Sequence, residues 1–144
     1  MSNLLSVEGL SLKDRSTGNE VLKDISFNLR EKEILGVVGE SGSGKTLLSQ
    51  AIVNWLPENL EISSGQINFL GKKMSAMSEN ELEKDIRGKE IAYIGPNAIN
   101  SLDPTYSVGI QLLEKAISID NGNTTKEVLK QKVISLLDDV LIPS

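Results

Sequence analysis

The chain has 144 residues, the size of one domain, and its 39% hydrophobic but only 3% aromatic residues predict a mostly aliphatic core. Fifteen Lys and Arg against 20 Asp and Glu give a net charge of −5, with the basic residues scattered along the chain and no broad basic patch, which argues against a nucleic-acid surface. No cysteine is present, so disulfides, thiolate metal sites and thiol catalysis are excluded.

The start, MSNLLSVEGL, lacks the basic end and long apolar stretch of a signal peptide, and no run approaches membrane-spanning length, so a soluble, intracellular chain is expected. Leu5, Val7, Leu10 and Leu12 alternate with polar residues across Gly9, which predicts one strand with a bulge or two short strands. Asp14 to Glu20, DRSTGNE, reads as a turn, and Ile25, Phe27 and Leu29 alternate again as a strand. The continuous apolar run Ile34-Leu35-Gly36-Val37-Val38 then predicts a central, buried strand.

That run leads directly into Gly39-Glu40-Ser41-Gly42-Ser43-Gly44-Lys45-Thr46, an uninterrupted G-x-x-x-x-G-K-[ST] pattern. A polyphosphate must be wrapped closely by inward-pointing backbone N–H groups, and glycine permits the turns that bring the chain so near. Gly39 would turn the chain after the strand. Gly42 and Gly44 would take conformations that a Cβ obstructs, Lys45 would reach the β- and γ-phosphates, and Thr46 would offer its hydroxyl to Mg²⁺. With Leu47 these eight positions form the candidate nucleotide site.

Leu47, Leu48, Ala51, Ile52, Trp55 and Leu56 recur at helical spacing, predicting a helix from Lys45 to about Leu56, stopped with the help of Pro57. Ile67 and Phe69 predict a strand bounded by Gly65 and Gly71, and Ser78-x-x-Glu81 a capping box opening a short helix that ends near Gly88. Ile91 to Ile94 reads as a short strand, and Gly95 to Ser107 as a loop. Two helices follow, one over Val108 to Ile119 and one opened by Thr124-x-x-Glu127, with Leu129, Val133, Leu136, Leu137, Val140 and Leu141 as its stripe and Pro143 as its stop.

GESGSGKT, SGQINFLGKKM from Ser64, RGKEIAYI, NSLDPTYSVGIQLLE and LLDDVLIPS together resemble the ATP-binding subunits of ABC transporters, in the branch that imports oligopeptides, dipeptides and nickel. The resemblance implies an α/β P-loop NTPase fold of ABC type, represented by its N-terminal part: an antiparallel β subdomain, the phosphate-loop strand and helix, and the start of the helical subdomain, with an incomplete core. It divides the chain into residues 1–95, a partial ATP-binding core, and 96–144, the inter-subdomain loop and start of the helical subdomain. It implies ATP and Mg²⁺ as cofactors, with transmembrane permease subunits, a second ATP-binding subunit and, indirectly, a solute-binding protein as partners. The location implied is the cytoplasmic, inner face of the cell membrane.

Three departures from the family's pattern bear on function. A gapless match sets Pro96 where the family carries a glutamine near Mg²⁺ and the attacking water, and Asn97 at the following acid. The hairpin LSLKDRSTGNE lacks the aromatic residue that the family often stacks on adenine, leaving Leu12 or Val21 for apolar contact. The signature motif, the Walker B acids and the switch histidine find no counterpart, the last because the chain has no histidine. Asp103, before Pro104, and the pair Asp138 and Asp139 read as a turn former and a solvated helix face, so no catalytic residue is assigned. The chain is therefore expected to bind ATP without hydrolysing it alone. Two alternatives stand beside the importer reading: a truncated, noncatalytic nucleotide-binding regulator, and another P-loop enzyme such as a kinase or GTPase, although no N-K-x-D base-reading motif is present.

Overall fold

The computed structural model describes residues 3–96, 101–120 and 122–142. The chain divides into two compact units, Met1–Tyr93 and Ile94–Ser144. In the first, β1 (Asn3–Asp14), β2 (Glu20–Arg30), β3 (Leu60–Phe69) and the two-residue β4 (Lys72–Lys73) form one antiparallel sheet of order β2-β1-β3-β4. Helix α1 (Lys45–Ile52) lies between β2 and β3 in sequence.

Alternation along β1 sends Leu5, Val7, Leu10 and Leu12 into the core with Leu22, Ile67 and Phe69 of the neighbouring strands. Leu48 and Ala51 of α1 join the same cluster. β1 is a single strand whose pairing with β2 shifts register between Val7 and Leu10, around Gly9 at φ 58°.

The expected turn closes the β1–β2 hairpin. The Asp14 carboxylate accepts from the backbone N–H groups of Ser16 (2.8 Å) and Thr17 (3.0 Å), from the Ser16 hydroxyl, and from Asn59 Nδ2 at 2.9 Å. These donors, led by the Ser16 side chain, hold its pKa far below the usual aspartate range.

β3 corrects one boundary. It begins at Leu60 and continues through Gly65 instead of starting after it. Gly65 has φ 84°, and a Cβ there would sit 2.3 Å from the Gly9 carbonyl oxygen, so β1 and β3 approach backbone to backbone at a pair of glycines. Glycine here permits a strand to continue.

The predicted central strand over residues 34–38 is not formed. No strand among the described residues pairs with it, and Ile34 and Val38 are 96% and 93% exposed. Apolar content proposes a buried strand, but only neighbouring strands satisfy its backbone and cover its faces. Ile91–Ile94 corrects in the same way, reduced to one isolated bridge between Arg87 and Ile91.

The expected capping box is present: Ser78 N donates to Glu81 Oε2 at 2.8 Å, and Glu81 N donates to Ser78 Oγ at 3.3 Å. It opens α2 (Glu79–Glu81), which passes into a π-helical turn over Leu82–Ile86 that buries Leu82 and Ile86.

The second unit holds α3 (Val108–Asp120) and α4 (Lys126–Asp139). Thr125, not Thr124, caps α4, accepting from Val128 N at 3.4 Å. Thr124 is engaged instead with Asp120, donating from its backbone N–H at 2.7 Å and its hydroxyl at 2.6 Å. Leu129 and Val133 are buried, whereas Leu136, Val140 and Leu141 of the predicted stripe are exposed. α4 ends where Leu141 turns left-handed (φ 60°) and the N–H groups of Leu141 and Ile142 bond back to Asp138 and Leu137. Pro143 lies outside the described residues.

Two stability outcomes follow from these turns. Gly65→Ala is expected to cost about 2–4 kcal/mol from strain and collision, against about 1 kcal/mol for Gly71→Ala, where φ is 75° but nothing lies within 4 Å. Urea unfolding checks this, and equal losses would contradict the close approach. Because the folded pKa of Asp14 is depressed, its contribution is present above the unfolded value, about 3.9, and is lost as pH falls below it. Asp14→Asn should therefore lower the urea midpoint at pH 7 and differ much less from the parent at pH 2; an unchanged gap would refute the carboxylate's role.

Candidate functional site: a phosphate loop at a helix N-terminus

The loop from Gly39 ends at Gly44, the N-cap of α1, and both Gly42 (φ 81°) and Gly44 (φ 93°) are left-handed. Such angles are costly for residues with a Cβ. At Gly44 a Cβ would also meet Leu22 Cδ2 at 2.4 Å, so β2 presses against the loop and fixes its path. At Gly39 a Cβ would meet Ser43 Oγ at 2.7 Å. Ser43 N donates to the Glu40 carbonyl at 3.2 Å and closes the tip.

Lys45 folds back over this loop. Its ammonium donates to the carbonyls of Gly39 (2.8 Å) and Glu40 (2.6 Å) and reaches Ser43 Oγ at 3.3 Å. A cation is thus centred in the turn.

No side chain caps α1, and its first turn contains no acid. The first helical bond is Leu48 N to the Gly44 carbonyl at 2.8 Å, so the N–H groups of Lys45, Thr46 and Leu47 have no acceptor within the helix. Thr46 is exposed, and Ser49 Oγ donates to its carbonyl at 2.8 Å. Unpaired amides, a helix N-terminus and a held ammonium make a cradle suited to an anion. Glu40 and Ser41 are exposed and contribute main chain to the turn.

α1 is shorter than its apolar spacing predicts. Asn54 takes φ 50°, and the N–H groups of Asn54 and Trp55 bond to the carbonyls of Ala51 and Gln50, both at 2.9 Å, so the helix closes at Ile52, before Pro57 is reached. Trp55, expected on the buried stripe, is 59% exposed and meets Tyr93 edge-on, with ring centroids 5.9 Å apart.

Arg87 was not singled out by sequence reasoning, yet its guanidinium binds the end of α1. Nε donates to the Val53 carbonyl at 2.9 Å, Nη2 to the Asn54 carbonyl, and Nη1 pairs with Glu79. The contact spans 34 residues, and only a lone Arg before Gly88 hints at it in the sequence.

Leu12 is wholly buried in the sheet core, which removes it as a contact for a base, while Val21 is exposed on β2, its carbonyl 3.8 Å from the position of a Cβ on Gly44. Pro96 is exposed, and Asn97 lies outside the described residues. The Asp103 carboxylate accepts from Thr105 N (2.8 Å) and its hydroxyl (2.6 Å), bonds that lower its pKa and mark a local turn. Asp138 and Asp139 are exposed at the end of α4. Among the described residues no group of three or more acidic side chains could hold a metal ion, and no helix is long and apolar enough to cross a membrane.

Comparison with known proteins decides the family, because the model of the family described as ABC transporter matches residues 22–142. The chain belongs to the ABC transporter family. It is 37% identical to the oligopeptide transport ATP-binding protein OppD of Bacillus subtilis over 99% of this chain and 40% of that protein. It is 37% identical to the metal-staphylopine import ATP-binding protein CntD of Staphylococcus aureus, over 88% of this chain and 46% of that protein. It is 35% identical to the dipeptide transport ATP-binding protein DppD of Escherichia coli, over 97% and 42%. The chain thus spans less than half the length of these relatives, in their N-terminal part. Among solved structures, the ATP-binding cassette MJ0796, described as a dimeric post-hydrolysis state bound to ADP and Pi, matches with a TM-score of 0.77 at 20% identity, over 93% of this chain and 56% of that one. The fold is therefore part of an ABC ATPase.

Proposed function

We propose that this chain is the phosphate-binding, N-terminal portion of the ATP-binding subunit of an importer for peptides or similar small solutes. The observation that carries the reading is the cradle itself: left-handed Gly42 and Gly44, free amides at Lys45, Thr46 and Leu47, and the Lys45 ammonium held over the turn. Relatives named for oligopeptide, dipeptide and metal-staphylopine transport support the solute class.

ATP fits this donor set. The β- and γ-phosphates would take the loop amides and displace the Lys45 ammonium from the Gly39 and Glu40 carbonyls, trading neutral acceptors for charged ones. Mg²⁺ would be held by phosphate oxygens with the exposed Thr46 hydroxyl, a hard oxygen donor, and would neutralise phosphate charge. The base would rest on aliphatic contact near Val21.

Hydrolysis needs a group that orients water in line with the γ-phosphate. Pro96 carries neither an amide nor a carboxylate side chain, and Asp103 is committed to its turn. Residues 1–95 would serve as the partial ATP-binding core and 96–144 as the inter-subdomain loop and start of the helical subdomain. Strands flanking residues 34–38 would come from the part of the relatives beyond the match. The working assembly would comprise two ATP-binding subunits with transmembrane permease subunits, peripheral on the cytoplasmic face of the membrane, and a solute-binding protein would act through the permease.

Equilibrium titration with Mg²⁺-ATP tests the reading. Saturable binding is expected, weakened about tenfold or more by Lys45→Ala, with no sustained phosphate release by the 144-residue chain alone. Affinity unchanged by Lys45→Ala would overturn the assignment.

A further inference from the structure

The C-terminal end of α1 is built as carefully as its phosphate-binding end. A helix leaves its last carbonyls unpaired. The left-handed Asn54 turn pairs two of them, those of Gln50 and Ala51, and the Arg87 guanidinium takes two carbonyls just beyond the helix, those of Val53 and Asn54. Its side chain is 21% exposed, and Glu79 balances its charge from the far side. A cation at this terminus is aligned with the helix dipole, as an anion at the opposite terminus would be. The eight residues between the two ends span only about 12 Å.

Arg87 also begins the segment that carries Tyr93. Its N–H bonds to the Leu82 carbonyl at 2.8 Å, Gly88 N bonds to the Ile91 carbonyl at 2.8 Å, and Arg87 bridges to Ile91. Tyr93 then contacts Trp55, the first residue beyond Asn54, with the ring planes at 86°. Main chain is joined to main chain through one planar, multidentate side chain, a geometry that Lys cannot reproduce.

From these contacts we propose that Arg87 links α1 to Tyr93: it fastens the C-terminal end of α1 to the 87–93 segment, so that a change in α1 on binding phosphate would be delivered to Tyr93. This rests on the nucleotide-binding reading above. Trp55, the single tryptophan of the chain, sits at the junction and reports it.

The test measures two quantities on the 144-residue chain during Mg²⁺-ATP titration: bound nucleotide by equilibrium dialysis, and Trp55 emission. In the parent chain the emission is expected to change saturably at the midpoint found by dialysis. Arg87→Met should keep affinity within about threefold and lose most of the emission change. Arg87→Lys should recover only part of it, and Glu79→Gln, which leaves the guanidinium–carbonyl bonds in place, should retain it. A full emission response in folded Arg87→Met, or a flat one in the parent chain despite dialysis-proven binding, overturns the proposal. Absence of binding in dialysis instead sinks the nucleotide reading, and this inference falls with it. Should circular dichroism show Arg87→Met unfolded, Tyr93→Leu decides: a folded, ATP-binding, spectroscopically silent variant is expected, and an unchanged response is the contrary result.

Discussion

The arrangement depends on what α1 leaves unpaired at its first turn. With no capping side chain and no acid in the first turn, the N–H groups of Lys45, Thr46 and Leu47 have no acceptor within the helix, and the Lys45 ammonium is held over the same loop. Such a turn is unfavourable unless an anion or water meets it. The rest of the first unit holds that turn still. Leu48 and Ala51 bury one face of α1 against β1 and β3, Leu22 presses on Gly44, and Asn54 with Arg87 closes the far end. Packing behind the loop orients its amides before phosphate arrives.

The exposed segment 34–38 shows the complementary constraint. Its residues have the composition of a buried strand, yet a strand exists through hydrogen bonds to neighbours, and the four strands among the described residues pair only with one another. Leu35 and Val37 line an apolar cavity of about 350 Å³ with Phe27, Leu29 and Lys45, so the ground between this segment and α1 is only half covered. The antiparallel hairpin sheet, by contrast, is satisfied within itself. A side-chain tie, Asn59 Nδ2 to the Asp14 carboxylate at 2.9 Å, links the hairpin turn to the residue before β3.

Features governed by near neighbours were legible in the sequence. The G-x-x-x-x-G-K-T loop, the DRSTGNE turn and the Ser78–Glu81 capping box each follow from residues within a few positions of one another. Other features were not. Gly65 reads as a strand boundary until Gly9 is seen against it; the end of α1 depends on Asn54 turning left-handed before Pro57 is reached. Spacing to Glu127 points to Thr124 as the cap of α4, but Asp120 engages Thr124 and the N-cap passes to Thr125. Arg87 was illegible because its partners are main-chain carbonyls, which have no sequence signature.

The central claim is that the backbone of this loop, completed by one ammonium group, receives phosphate. Amide resonances of an isotopically labelled chain, followed while inorganic tripolyphosphate and Mg²⁺ are added, test it most directly. The account predicts saturable shifts largest at Gly42, Gly44, Lys45, Thr46 and Leu47. Unmoved signals at these positions, or larger shifts confined to residues 108–139, would contradict it.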